Sequence, residues 1–407
     1  MQNILVEKPY VFRAPHRGNW WPSFIQAFEL YWPYLRKTDG VESCEVRGVE
    51  RLTASLQAGY GIMLTPNHCR NSDPLILGSL AKKAKTHVFA MASWHLFNQD
   101  SFTTFALHKM GAFSVNREGV DRQSISTAVK ILDTGERPLV VFPEGAVSRT
   151  NDRLHAMLDG VAFIARTAAK RRNKRGDERK IVIHPVAIKY LFQGDLDSAA
   201  DEVLSDIEHR LSWQPQKHLP LMDRIAKVGR ALLCLKELEY FGREQEGTFE
   251  GRLEGLINRL LGPLEEEWLG EQQTEPVVPR VKNLRMKILP DMVKGTIDEP
   301  ERERRWKQLA AVYLAQQVSC YPPDYLATPT VDRLLETIER FEEDLTDVAR
   351  IHAPLHGIIQ VGEAIEVSPK RDRTAKTDPL MARLDHDLQA MLDELAKESP
   401  VYQGQTA

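Results

Sequence analysis

The sequence predicts an α/β fold: a mostly parallel sheet flanked by helices, with a large helical insertion. Three observations carry this. From residue 50 to 191 short apolar runs alternate with helical stretches, the spacing of strand–helix–strand units. Residues 195–350 turn rich in Glu, Arg, Leu and Gln and keep a helical period. Residues 357–367, GIIQVGEAIEV, return to β-branched composition before a last amphipathic stretch. Four parts follow: an N-terminal aromatic amphipathic segment (1–49), an α/β core (50–191), a helical insertion (192–356), and the closing strand and C-terminal helix of the core (357–407).

The elements run in this order. Residues 1–18 read as extended. Residues 20–34, WWPSFIQAFELYWPY, hold seven aromatics, and Trp20, Phe24, Phe28, Tyr31 and Leu35 form a stripe at helical spacing that Pro33 should end or bend. GIMLT (61–65) reads as a buried strand, and Pro74 opens a helix capped by Ser72 or Asp73. HVFAMA (87–92) is a strand, and 101–110 a helix closed by Gly111. Then come the strand AFSVN, a helix over 119–134 closed by Gly135, the strand PLVVF (138–142), a helix over 160–172 and a strand over 180–191. Helical periods recur at 223–241, 249–268, 300–319 and 331–350, with Pro-containing breaks at 276–290 and 322–329. No internal repeat stands out. Residues 379–397 form the closing helix.

Composition narrows the function. The chain has 407 residues, 42% apolar and 27% charged, as in an ordinary globular protein. A formal charge of −3 gives no basic excess for a general nucleic-acid binder. Cys44, Cys69, Cys234 and Cys320 lie far apart without a CxxC, which excludes a zinc ribbon and makes a reducing cytoplasm the default. No run of 18 apolar residues and no secretory apolar core is present. A membrane-active protein of this kind would lie on the bilayer, peripheral on its cytoplasmic face. The aromatic segment 20–34 serves equally as core packing or as that interfacial contact.

Four blocks could carry chemistry. The first is Asn67-His68-Cys69-Arg70-Asn71-Ser72-Asp73. Five positions on a continuous helix would put His68 and Asp73 about 140° apart. Pro66 and the Asn-Ser pair favour a strand-to-helix turn instead, which can fold the carboxylate onto the imidazole. A carboxylate on Nδ1–H fixes the tautomer and leaves Nε2 free as a base. The second block is Gly111-Ala112-Phe113-Ser114-Val115-Asn116-Arg117, an arginine just past a strand end, able to fork onto an anion. The third is Phe142-Pro143-Glu144-Gly145, also at a strand end, where ligands gather in open α/β sheets. The fourth is Val182-Ile183-His184-Pro185-Val186-Ala187-Ile188. Taken singly, each reads as readily as a satisfied core histidine, a surface arginine, a turn or a core strand.

In this order the blocks resemble the glycerolipid acyltransferases, the 1-acylglycerol-3-phosphate acyltransferase-like family, with its NHx4D, GxFxxxR, FPEG and apolar strand with a proline. GEAIEV (362–367) is similar to the family's closing strand. The resemblance implies acyl transfer from acyl-CoA or acyl carrier protein to a hydroxyl of a glycerophosphate or lysolipid acceptor, without metal or cofactor. By similarity, His68 is the general base and Asp73 orients it. Gly111, Phe113, Arg117, Glu144 and Gly145 form the acceptor site, and Pro185 shapes the acyl-donor side. A thioester is already activated, so no nucleophilic serine is needed, and the chain has no GxSxG, GxGxxG or Walker A. Cys69 beside His68 is a poor nucleophile candidate, since neighbours on one turn rarely point the same way. Two departures stand out. Where many members read FPEGTRS, this chain reads FPEGAVSR, with Arg149 displaced, and the basic FKKG-like segment appears as Met157-Leu158-Asp159-Gly160. Both remove positive charge near the acceptor site. A different, non-phosphorylated acceptor and a silent lipid-binding protein of the same fold are the alternatives.

Overall fold

The computed structural model describes residues 7–119, 121–371, 374–375 and 377–404. Strand β2 (Gly61–Pro66) shows how the core is organised. All six of its residues are buried. Ile62 and Leu64 enter one apolar cluster and Met63 the other, the period of two that a strand covered on both faces requires.

Eight strands form one sheet: β1 (Val41–Arg47), β2, β3 (Phe89–Ser93), β4 (Ala112–Val115), β5 (Leu139–Val140), β6 (Ile181–Phe192), β7 (Leu355–Val361) and β8 (Ile365–Glu366). Their order is β1-β7-β6-β2-β5-β3-β4, with β8 also on β6. Every pairing is parallel except those of β6 with β7 and β8. Strand β1 lies inside the segment that the sequence leaves as an N-terminal aromatic stretch. It reads poorly because Glu42, Ser43 and Glu45 are polar, yet it gains a full parallel ladder against β7.

The N-terminal helix pair is α1 (Trp20–Phe28) and α2 (Tyr31–Asp39). The predicted single stripe is divided, and not at Pro33. Glu29 caps α1 in the left-handed region, and Pro33 sits harmlessly in the first turn of α2. Tyr31 and Leu35 therefore turn into the core, while Trp20 and Phe28 remain 65% and 67% exposed. Beyond α1, residues 10–13 bind along the edge strand β4: Ser114 N–H donates to the Arg13 carbonyl at 3.0 Å, and Tyr10 Oη donates to the Ser114 carbonyl at 3.1 Å. This covers an otherwise open sheet edge.

The remaining helices of the α/β part are α3 (Val49–Gln57), α4 (Asp73–Lys83), α5 (Ser101–Lys109), α6 (Arg122–Thr134) and α7 (Gly160–Lys174). They are followed by α8 (Leu196–Arg210), α9 (Leu221–Phe241), α10 (Phe249–Leu269), α11 (Val277–Lys294), α12 (Glu299–Val318), α13 (Val331–Thr346) and the closing α14 (Pro379–Ala396). The break expected over 276–290 is instead helix α11. Pro279 falls in its first turn, where the missing N–H is harmless, and Pro290 is carried inside. Helices α8 and α13 and the first half of α9 share the core under β6 through Leu204, Ile207, Val228 and Leu335. The second half of α9 and α10–α12 build a separate apolar cluster around Leu256, Leu284 and Val312.

A repeat does exist in these helices, and it is one of corners. Glu208, Glu237 and Glu265 are each fully buried near a helix end. Each accepts the backbone N–H of a glutamine eight residues on, Gln216, Gln245 or Gln273, at 2.8–3.1 Å. Each also takes a two-pronged arginine from the fourth residue of the next helix, Arg224, Arg252 or Arg280. Only three positions in each period of 28 or 29 residues are fixed, too few to show as a sequence repeat.

Candidate active site

Strand β2 ends at Pro66, and β6 continues past it. Two asparagines take over the exposed edge of β6. Asn67 Nδ2 donates to the Ile188 carbonyl at 2.9 Å while Ile188 N–H donates to Asn67 Oδ1 at 2.7 Å. Asn151 repeats this pairing on Tyr190, at 2.6 and 2.9 Å. A side-chain amide thus mimics a neighbouring strand, and it fixes the chain on either side of the site.

Residue 68 leaves this clamp into the turn that starts α4. There His68 Nδ1 lies 2.9 Å from Asp73 Oδ2, and Asp73 is fully buried. The carboxylate also accepts from the Arg70 backbone N–H at 2.9 Å and from Tyr190 Oη at 2.8 Å. Three donors around one carboxylate leave it a pure acceptor, so the imidazole proton sits on Nδ1 and Nε2 carries the lone pair. The ring stacks on Phe142 with centroids 4.1 Å apart. Among the described residues no protein group hydrogen-bonds Nε2. The turn expected from Pro66 and the Asn-Ser pair therefore does join His68 to Asp73. Cys69 is buried beside Asp73, and burial pushes its thiol well above the usual range, which suits packing and not attack.

Glu144 has a different place. It is 1% exposed and accepts the backbone N–H of His68 at 2.7 Å and of His155 at 2.9 Å. Burial pushes its carboxyl up to about 8. It fixes the main chain at residue 68. Gly145 turns the chain at φ +69°, and a Cβ there would come 2.5 Å from Leu158.

The second and fourth blocks are spread out. Arg117 is half-buried at the C-terminal end of β4, the same sheet edge that carries His68 and Glu144. Gly111 lies at the opposite end of that strand, with φ +94°, and a Cβ there would come 2.8 Å from the Val88 carbonyl. Phe113 is fully buried in the core and packs on Phe12. Neither is brought to His68. Pro185 is buried in β6, opposite Thr65, with its carbonyl accepting Gly362 N–H at 2.7 Å. It occupies the switch between β7 and β8, where β6 has no ladder partner to donate to. His184 is a satisfied core histidine, held by Ser55 and by the Gly362 carbonyl.

The helical region reaches this site. Arg149 adopts the left-handed conformation, φ 59°, with its side chain paired to Glu343 of α13 and its carbonyl accepting from Arg340. Arg70 pairs with Glu339 at 2.7 Å. Lys189, fully buried in β6, is shared by Asp152 and Asp332 at 2.6 and 3.1 Å. Sequence reasoning passed over Tyr190 and Asn151, and it names Phe142 only as part of its motif, without a role. Their partners are more than thirty residues away, and only the sheet order brings them together.

The chain thus has a mostly parallel α/β sheet whose strand ends carry a buried carboxylate–histidine pair, without a nucleophile elbow. Residues 43–189 match the family model described as Acyltransferase. This part of the chain is an acyltransferase domain of the glycerolipid acyltransferase family, and acyl transfer is its general function. The comparison with curated proteins returned no match. No described helix is long and apolar enough to cross a membrane.

Proposed function

We propose that the protein moves a fatty acyl group from an acyl thioester, acyl-CoA or acyl carrier protein, to a hydroxyl of a phosphorylated glycerol or lysophospholipid. The observation that carries this reading is the His68–Asp73 pair with Nε2 unengaged. His68 Nε2 takes the acceptor hydroxyl's proton as its oxygen attacks the thioester carbon. The tetrahedral intermediate then expels the thiolate, which recovers the proton from the imidazolium. Asp73 stabilises that imidazolium, and Glu144 holds the backbone that aims it. No metal or cofactor enters.

Arg117 is the residue for the acceptor phosphate. Strands β2 and β4 are three places apart, roughly 14 Å at about 4.8 Å per strand. An arginine side chain, a glycerophosphate and an imidazole together fill such a span. A non-phosphorylated acceptor has one observation in its favour: Arg149, the only arginine soon after FPEG, is engaged by Glu343. The test is transfer to glycerol 3-phosphate and to glycerol, followed as free thiol released from acyl-CoA, in wild type and Arg117→Ala. The expected result is a ~10–100-fold loss of kcat/KM on the phosphorylated acceptor alone. Equal losses on both acceptors would make Arg117 structural and favour the other reading.

The exposed aromatics extend the proposal to a membrane surface. Phe102 and Phe105 of α5, 74% and 44% exposed, join Trp20, Phe24 and Phe28 through an edge contact of Phe105 with Trp21 at 5.2 Å. Aromatic side chains of this kind lie well at a lipid–water boundary.

A further inference from the structure

Among the described residues the buried arginines of the helical region are each held by a carboxylate or, in Arg340, by two backbone carbonyls, with one exception. Arg224, Arg280 and Arg305 are each paired with a carboxylate. Arg285 of α11 is not. It is 3% exposed, and its Nε and Nη2 are both enclosed without a hydrogen-bond partner. No ion pair to it is formed among the described residues. An enclosed guanidinium without an anion is costly, because it has lost water and gained no opposite charge.

Its surroundings make the cost larger. Arg117 lies close enough to depress the Arg285 guanidinium, which burial and that neighbour bring down to about 10. His95, at the C-terminal end of β3, is held down to about 4 by burial and by both arginines. Glu118 is the one acid that acts on both guanidinium groups, and Tyr313 of α12 is the other group facing Arg285. Two half-enclosed or enclosed cations thus converge from different parts of the fold, one from the acyltransferase segment and one from a helix outside it. The strap that covers β4 ties these parts together, since Glu7 pairs with Arg302 of α12 at 2.8 Å.

We propose that Arg285 and Arg117 form one site for a phosphate dianion, so that helix α11 supplies a specificity-determining residue for the acceptor. This rests on the reading of Arg117 given above. It also accounts for the charge missing from the motifs: the basic residues absent after Gly145 and at 157–160 are answered from the helical region. A phosphate group offers oxygens to both forks, and its charge removes the repulsion between them.

The experiment compares the full-length wild type with Arg285→Met, Arg285→Lys and Arg117→Ala. Melting temperature is measured in inorganic phosphate and in chloride at matched ionic strength, and KM is measured for glycerol 3-phosphate. Wild type should gain melting temperature in phosphate. Arg285→Met should be at least as stable as wild type in chloride, lose most of that gain, and raise KM by ~10-fold or more. Arg285→Lys should keep part of the gain, and it alone decides the matter if the methionine variant does not fold. A methionine variant that melts well below wild type in chloride yet keeps the phosphate gain overturns the proposal and makes Arg285 structural. If Arg117→Ala loses the gain and both Arg285 variants keep it, this inference falls and the reading of Arg117 stands. If all variants keep it, or wild type shows none, both fall.

Discussion

The acyltransferase segment and the helices α8–α12 bury charge in opposite ways. In the helices, each buried glutamate closes on an arginine and a backbone N–H of the next corner, and the pattern repeats three times. At these corners charge is settled inside the unit. In the acyltransferase segment Lys189 and Asp152 are paired in the same way, but the acids beside His68 are one-sided. Asp73 gathers donors around a histidine whose second nitrogen stays unengaged, and Glu144 faces two backbone N–H groups without a cation. Structural charges are neutralised where they lie, whereas the histidine of the proposed mechanism keeps one ring nitrogen unengaged. Arg285 sits in the first region and behaves like the second, which is why it stands out.

This contrast predicts that substitutions in the two regions separate activity from stability. The largest effect should come from His68→Ala, which should lower turnover by ~10²–10⁴-fold. Asp73→Asn should follow closely, because an amide either turns its NH2 to His68 Nδ1 and the Arg70 N–H, or keeps both and leaves Tyr190 Oη without that acceptor. Thiol release measured beside a circular dichroism melt checks both, and normal turnover in folded His68→Ala would sink the mechanism. Next comes Glu237→Gln at a helical corner. It leaves Arg252 short of its main partner, a change that costs about 3–5 kcal/mol for a buried pair. The lower end applies, because Glu244 still reaches Arg252 at 3.2 Å. Urea unfolding should show this loss while kcat of the folded protein stays near wild type. A large fall in kcat with unchanged stability would break the division between the regions.

The smallest effect tests the surface of the same fold. Trp20→Ser with Phe24→Ser removes exposed aromatic area from α1. Pelleting with anionic phospholipid vesicles should weaken by on the order of tenfold, roughly 1–2 kcal/mol of apolar transfer. The melting temperature should hold. A lowered melting temperature with unchanged pelleting would mean that these rings serve packing.

Much of this was legible beforehand. Strands β2 and β6 announce themselves because both faces are buried and the residues are mostly β-branched or apolar. The His68–Asp73 turn is local, five residues long, and its proline and asparagine point to it. Strand β1 was hidden by its polar residues, and α11 by its prolines, since pattern reading weighs single residues while a ladder or a packed helix face outweighs them. The corner repeat was hidden because three fixed positions in a period of 28 or 29 residues leave the rest free to vary.

The sequence by itself determined the strand–helix alternation, the histidine–aspartate turn and the acyltransferase character of residues 43–189. These depend on local pattern and on motifs a few residues long. The tertiary structure decided which residues serve them. Tyr190 reaches Asp73 only because β6 lies beside β2, and Asn151 clamps β6 only because α13 orders the loop before it. Phe113 and Gly111 fall away from the site because a strand's two ends and two faces look in different directions. Arg285 comes within electrostatic reach of Arg117 across 168 positions of chain. Burial and proximity are properties of the packed chain, and no local pattern in a sequence encodes them.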